Sequence, residues 1–80
     1  MLSNENQAYK MSSTELTTTI GSIIEHFGSQ MATAKAAGVS QPAISGWASG
    51  SSKPGLRSLM RIEKATKGKF KARIVRPELF

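Results

Sequence analysis

The 80-residue chain contains no cysteine, one histidine (His26) and five acidic residues, all of them glutamate. Without cysteine, the chain has no disulfide framework, thiolate zinc site or cysteine nucleophile. A multi-histidine metal site is also excluded, as is an EF-hand loop, which needs several acidic or amide ligands at fixed spacing. We therefore expect neither a metal nor a cofactor.

Long apolar runs are missing as well. None approaches the roughly 20 residues that a membrane helix requires. The N-terminal residues MLSNENQAYK are polar and acidic, whereas a signal peptide would be basic and then apolar. The length suits one small domain, which is marginally stable or depends on a partner subunit. We expect a soluble, cytoplasmic protein without a membrane partner.

Titratable side chains are not grouped in the way that catalysis requires. The five glutamates are scattered, and Glu25 and His26, as sequence neighbours, face different sides of a helix. General acid–base chemistry needs such groups together in a pocket. We therefore predict no catalytic residue, no small-molecule substrate and no enzymatic activity.

Positive charge is abundant but unevenly placed. The net charge is +6; residues 1–34 carry one lysine against three glutamates, whereas residues 35–80 carry ten basic residues against two glutamates. Clustered positive charge favours a polyanion partner, because each neutralised phosphate releases a counterion. A solubilising basic face, or contact with acidic lipid, would give the same pattern.

Residues 1–13 are expected to form a flexible tail and residues 14–80 a single domain. Ser13 or Thr14 can cap a first helix that ends at Gly28. The apolar residues of this helix recur with helical spacing. They are Leu16, Ile20, Ile23, Ile24 and Phe27.

Two short helices are expected next, over residues 30–37 and from Ser40 to about Ser49. Ser29 and Ser40 are their capping candidates, and Pro42 is tolerated in a first helical turn. The third helix would bury Ile44 and Trp47. The alternative for Trp47, a base-stacking platform, fits its position less well than the core.

After a loop at residues 50–55, a fourth helix is predicted from Leu56 to about Thr66. Its expected apolar face contains Leu56, Leu59, Met60 and Ile62. Glu63 and Lys67 have the i, i+4 spacing of a helical ion pair. The C-terminal tail, residues 69–80, fits either a short helix or an extended strand. Its Arg73 and Arg76 either contact the polyanion partner or only make the tail soluble.

The centre of the chain has the spacing of a helix-turn-helix. Only Gly38-Val39-Ser40 separates two short helices. Glycine suits such a corner, and Ala34 allows close approach of the helices. In this motif the second helix lies in the major groove.

The stretch from His26 to Trp47 resembles the DNA-binding core of Cro-type repressors of lambdoid phages, and also related small antitoxin-like prophage repressors. The resemblance is best over residues 23–66. It implies an all-α, lambda-repressor-like domain of four to five helices in a bacterial host, at the nucleoid. It also implies a repressor that binds a palindromic double-stranded DNA operator. A homodimer is expected, because one recognition helix covers only a few base pairs.

Residues 39–52 lack charged side chains, which fits a surface that reads bases between cationic flanks that hold phosphates. Gln41 suits a bidentate contact to adenine, and Ser45 suits either base type. By the resemblance, the base-facing residues are Ser40, Gln41, Pro42, Ser45 and Gly46. Gln30 matches a phosphate-binding position, and the other phosphate candidates are Lys35, Ser49, Lys53 and Arg57.

Two alternatives stay open. An antitoxin-type protein-interaction module would dock residues 69–80 onto a partner protein while regulating its own operon. A generic RNA-binding domain would use the basic face without reading a groove.

Overall fold

A computed structural model describes residues 12–80 of the chain. Within that range there are five α-helices, one 3-10 turn and no strand, which confirms the all-α prediction. The helices are α1 (Ser13–Phe27), α2 (Gln30–Ala37), α3 (Gln41–Ser49), α4 (Leu56–Ala65) and α5 (Ala72–Val75), and the 3-10 turn is Pro77–Leu79.

The N-terminus of α1 differs by one residue from the sequence-based boundary. Ser12, rather than Ser13 or Thr14, is the cap, and its hydroxyl accepts from the Glu15 amide at 3.1 Å. The Glu15 carboxylate in turn accepts from the Ser12 amide at 2.9 Å. This reciprocal pair satisfies two amides that the helix itself leaves without acceptors. The predicted flexibility of residues 1–11 lies outside the described residues.

The three central helices begin and end where the sequence predicted. The hydroxyl of Ser29 accepts from Ala32 N at the start of α2, and that of Ser40 accepts from Ala43 N at the start of α3. Gly28 and Gly38 take left-handed conformations after α1 and α2, with φ of +97° and +74°. Such a φ is strained for any residue with a Cβ, which explains glycine at both places.

The core lies where these helices meet. Helix α2 packs against α1, α3 and α4, while α5 covers α4. Ile20, Ile44 and Ile62 are completely buried, one from each of three helices. The other buried apolar residues are Leu16, Ile23, Ala34, Ala37, Trp47, Leu59, Ala72 and Val75. Burial of this apolar area is the main stabilising contribution to a domain of this size.

Helix α4 buries a narrower face than expected. Leu59 and Ile62 are in the core, but Leu56 and Met60 are 38% and 55% exposed.

Glu63 pairs with α5 rather than with Lys67, its predicted partner. Glu63 Oε1 accepts from the Ala72 amide at 2.8 Å, at the start of α5. An exposed ion pair contributes little to stability, whereas this carboxylate satisfies a partly buried amide.

The C-terminal tail is helical, which resolves the choice between helix and strand. Helix α5 packs against α4, and the 3-10 turn that follows packs against α5. Ala72 and Val75 are buried on this helix, whereas Ile74 and Phe80 are 59% and 61% exposed. The three-residue spacing of Ala72 and Val75 places them on the same helical face, so the tail contributes to the core.

Candidate nucleic-acid interface

The corner between α2 and α3 is tightly bonded. The Gly38 amide donates to Ala34 O at 2.9 Å, and the Val39 amide donates to the same oxygen at 3.0 Å. A Cβ at residue 38 would lie 3.0 Å from the Arg61 guanidinium of α4. The positive φ of Gly38 explains the glycine, whereas the exposed Arg61 side chain is free to move away from a Cβ at this position.

Helix α3 has one buried side and one uncharged outer side. Ile44 and Trp47 face the core, and Trp47 is 5% exposed, so its ring is part of the core rather than a stacking platform. The predicted reading residues on the outer side are exposed, namely Ser40, Gln41, Pro42 and Ser45. Their exposure leaves polar and apolar groups available along one face of the helix.

Gln30 and Gln41 are joined by a side-chain hydrogen bond. Nε2 of Gln41 donates to Oε1 of Gln30 over 3.0 Å. Both residues are the first of their helices, α2 and α3. The sequence identified both glutamines as contacts but not their coupling. The turn joins the end of α2, not its start, to the start of α3, so the spacing of the sequence does not by itself indicate that Gln30 and Gln41 meet.

Gly46 faces the loop that follows α3. A Cβ at this position would lie 2.6 Å from the hydroxyl oxygen of Ser52 and 3.3 Å from that of Ser51. The Gly46 carbonyl also accepts from the amides of both serines, at 3.2 and 3.0 Å respectively. The structure therefore explains this glycine by close packing of the loop. It also places two serine hydroxyls beside α3 that the sequence did not single out.

The predicted phosphate contacts surround α3. Lys35, Ser49, Lys53 and Arg57 are exposed, and Gln30 is partly buried. The Ser49 hydroxyl donates to the Gly46 carbonyl at 3.2 Å, so part of its bonding capacity is used within the protein. Gly55 is the N-cap of α4, so no side chain caps the first amides of this helix. Its N-terminus lies in sequence between Lys53 and Arg57, an arrangement favourable for an anion.

Arg76 does not extend into solvent as the sequence alternatives supposed. Its Nε donates to Glu78 Oε2 and its Nη1 to the carbonyl oxygen of Pro54, both at 2.8 Å. Pro54 is itself fully buried. Arg73 is exposed, with its guanidinium carbon 5.6 Å from the centre of the Phe80 ring. The two arginines therefore differ in role, although the sequence does not distinguish them.

His26 has aromatic rather than polar neighbours. Its ring meets the rings of Phe27 and Phe70 edge-on, with centroids 5.0 and 5.9 Å away. This contact joins the end of α1 to the segment before α5. Among residues 12–80, no three histidine or carboxylate side chains gather in a group suited to a metal ion.

Residues 19–78 match the family described as DNA-binding transcriptional regulator Cro. This range covers all five helices apart from the first turns of α1. The chain belongs to the Cro family. It is a DNA-binding transcriptional regulator, and Cro-family regulators are not enzymes.

No curated protein and no solved structure matches this Cro-family chain. The assignment thus depends on the family match and agrees with the helix-turn-helix geometry. None of the helices between residues 12 and 80 has the length and apolar character needed to cross a bilayer.

Proposed function

We propose that this Cro-family regulator is a repressor that reads a palindromic operator as a homodimer, with α3 in the major groove. The observation that carries the proposal is the hydrogen bond between Gln41 and Gln30. It orients an amide at the exposed start of a helix whose outer face has no charge. A surface used only for general polyanion binding has no need of such an orientation.

The bonding capacity of the two glutamines matches a base and a phosphate. A side-chain amide nitrogen has two hydrogens, so after donating to Gln30 the Gln41 Nε2 retains one N–H. Adenine presents N7 as an acceptor and its N6 amino group as a donor in the major groove. Gln41 Nε2 can therefore donate to N7 while Gln41 Oε1 accepts from N6. Gln30 keeps both hydrogens of its own amide for a phosphate oxygen.

The other exposed residues of α3 extend the proposed reading surface. Pro42 offers an apolar contact to a thymine methyl, and Ser40 and Ser45 offer hydroxyls that donate or accept. Gly46 is left out of the direct contacts, because its open side is occupied by Ser51 and Ser52. Specificity then arises from a few neutral groups, while the register on DNA is set elsewhere.

Phosphate binding is assigned to residues on both sides of α3. They are Gln30, Lys35, Ser49, Lys53 and Arg57. Lys53 and Arg57 lie on either side of the uncapped start of α4, where free amides and the helix dipole favour an anion. These contacts position the reading helix and make the affinity dependent on salt.

Dimerisation is assigned to the surface formed by α4 and the C-terminal segment. Met60 and Phe80 are largely exposed and line one shallow cavity of about 270 Å³, together with Glu63, Lys71 and Arg73. Large apolar side chains exposed at one cavity favour a protein partner, and a two-fold symmetric operator requires a second copy. We therefore place a second copy of the chain here, which is preferred over an unrelated protein target.

Selection of bound duplexes from a random pool tests sequence reading and symmetry together. We expect a palindrome with half-sites about one helical turn apart. Gln41→Ala should fold normally and lose about 1–3 kcal/mol of discrimination at one base pair of each half-site. Equal binding to operator and scrambled duplex by the unmodified chain would exclude the proposal. Tighter binding to RNA than to duplex DNA, measured in a direct competition, would favour the generic RNA-binding domain.

A further inference from the structure

The loop between α3 and α4 is attached to the protein at both ends. At its start, the amides of Ser51 and Ser52 donate to the Gly46 carbonyl. At its end, Pro54 is buried and its carbonyl accepts from Arg76 Nη1 at 2.8 Å. Lys53 lies between these two attachments and is exposed. The backbone position of Lys53 therefore depends on both of them.

Arg76 is itself well fixed. Its Nε donates to Glu78 Oε2 at 2.8 Å, and its side chain is 18% exposed. Its backbone amide donates to the Ala72 carbonyl at the end of α5. The planar guanidinium thus joins a carboxylate and a carbonyl at once, a geometry that a lysine ammonium on a flexible stem does not reproduce.

We infer that Arg76 is a positioning residue for DNA binding, which acts by holding Pro54 so that Lys53 and the start of α4 meet one phosphate. The inference depends on the proposed function. Residues 50–55 contain two glycines and two serines, so the unattached loop would sample many conformations. Binding would then have to order it, at an entropic cost. Arg76 lowers this entropic cost because it orders the loop before DNA binds. Its own guanidinium contacts Glu78 and Pro54, so Arg76 acts without touching DNA itself.

The test uses Arg76→Lys, which keeps the charge but not the double attachment. Arg73→Lys is the matched control, because Arg73 lies over Phe80 and is not bonded to the loop. Full-length variants are titrated with the palindromic duplex selected by the unmodified chain, over a range of salt concentrations. Each background is also combined with Lys53→Gln, and unfolding of every variant is followed by heating.

Losing one phosphate contact on B-DNA makes the negative slope of log K against log salt shallower, lowering its magnitude by about 0.9. We expect this decrease for Lys53→Gln and also for Arg76→Lys, with no further decrease when the two are combined. Arg73→Lys should keep the original slope, and Lys53→Gln should retain its full effect in that background. A residue with only a structural role would lower the melting temperature without changing the slope.

Three results would overturn the inference: an unchanged slope in Arg76→Lys, additive effects of Arg76→Lys and Lys53→Gln, or no effect of Lys53→Gln alone. In each case Gln41→Ala, measured on the same duplex, still reports on the proposed function. If the unmodified chain selects no sequence at all, the proposed function fails, and the inference fails with it.

Discussion

Nε2 of Gln41 lies 3.0 Å from Oε1 of Gln30, and this bond connects the first residues of the two helices of the helix-turn-helix. Gln41 is proposed to read a base and Gln30 to hold a phosphate. Because the two side chains are bonded to each other, a change in one is expected to alter the position of the other. A change at Gln30 should alter what Gln41 recognises, even though Gln30 itself is proposed to contact only the DNA backbone.

Gln30→Ala and Gln30→Glu separate these two effects. Alanine removes the acceptor for Gln41, so we expect weaker operator binding and relaxed preference at the base pair read by Gln41, by about 1–3 kcal/mol. Glutamate keeps that acceptor but places a negative charge near phosphate, so affinity should fall on all sequences while base preference stays. Binding to the operator and to single-base-pair variants of it measures both quantities. Loss of preference in Gln30→Glu would contradict the coupling.

Arg57→Gln tests the phosphate site at the start of α4. We expect the salt dependence of operator binding to decrease by about one phosphate contact, roughly uniformly across sequences. Lys64→Gln removes the same charge two turns further along α4, and it should change the slope much less. Titrations of both variants at several salt concentrations make the comparison, and equal slopes for the two would argue against a local contact.

Gly46→Ala tests the packing of the loop against α3. Alanine is favoured over glycine within a helix by about 0.5–1 kcal/mol. Here its Cβ would lie 2.6 Å from the Ser52 hydroxyl oxygen and 3.3 Å from that of Ser51, so both side chains would have to move, and the Ser51 hydroxyl would lose its bonds to Ser49 and to the Gly46 carbonyl. We therefore expect Gly46→Ala to lower the free energy of unfolding in the unmodified chain.

The control for this substitution is the Ser52→Ala background. Without the hydroxyl, the nearest atom of residue 52 is its Cβ at 3.7 Å, an ordinary contact. Gly46→Ala should then destabilise less in urea unfolding than in the unmodified chain, with the Ser51 hydroxyl oxygen at 3.3 Å as the remaining close contact. The packing explanation is wrong if the substitution has the same effect in both backgrounds.

Met60→Ser tests the proposed dimer surface. We expect weaker self-association in sedimentation equilibrium, with little change in unfolding, because Met60 is 55% exposed in the single chain. Met31→Ser is the matched control, a more exposed methionine, at 68%, on α2. If both variants associate as strongly as the unmodified chain, the dimer contact lies elsewhere. Deleting residues 69–80 is a poorer test of dimerisation, because it also removes Ala72 and Val75 from the core and would destabilise the fold.

Local patterns were enough to predict most of the fold. Capping serines and left-handed glycines define α2 and α3 because these residues act within one turn of chain. Ile44 and Trp47 are buried as their spacing indicated. The family resemblance stated from the central motif agrees with the match over residues 19–78.

Contacts between distant segments were not predictable in this way. Glu63 bonds α5 rather than Lys67, and Arg76 bonds Pro54, which is 22 residues earlier in the chain. Helical periodicity overestimated the buried face of α4, because it reports which side is apolar but not how much of it a neighbour covers. The sequence by itself determined the four longer helices, nearly all of their ends and the neutral α3 between basic flanks, but not the helical form of the C-terminal tail. Only the tertiary structure decided which polar side chains pair, since those pairs depend on where helices lie after the core has packed.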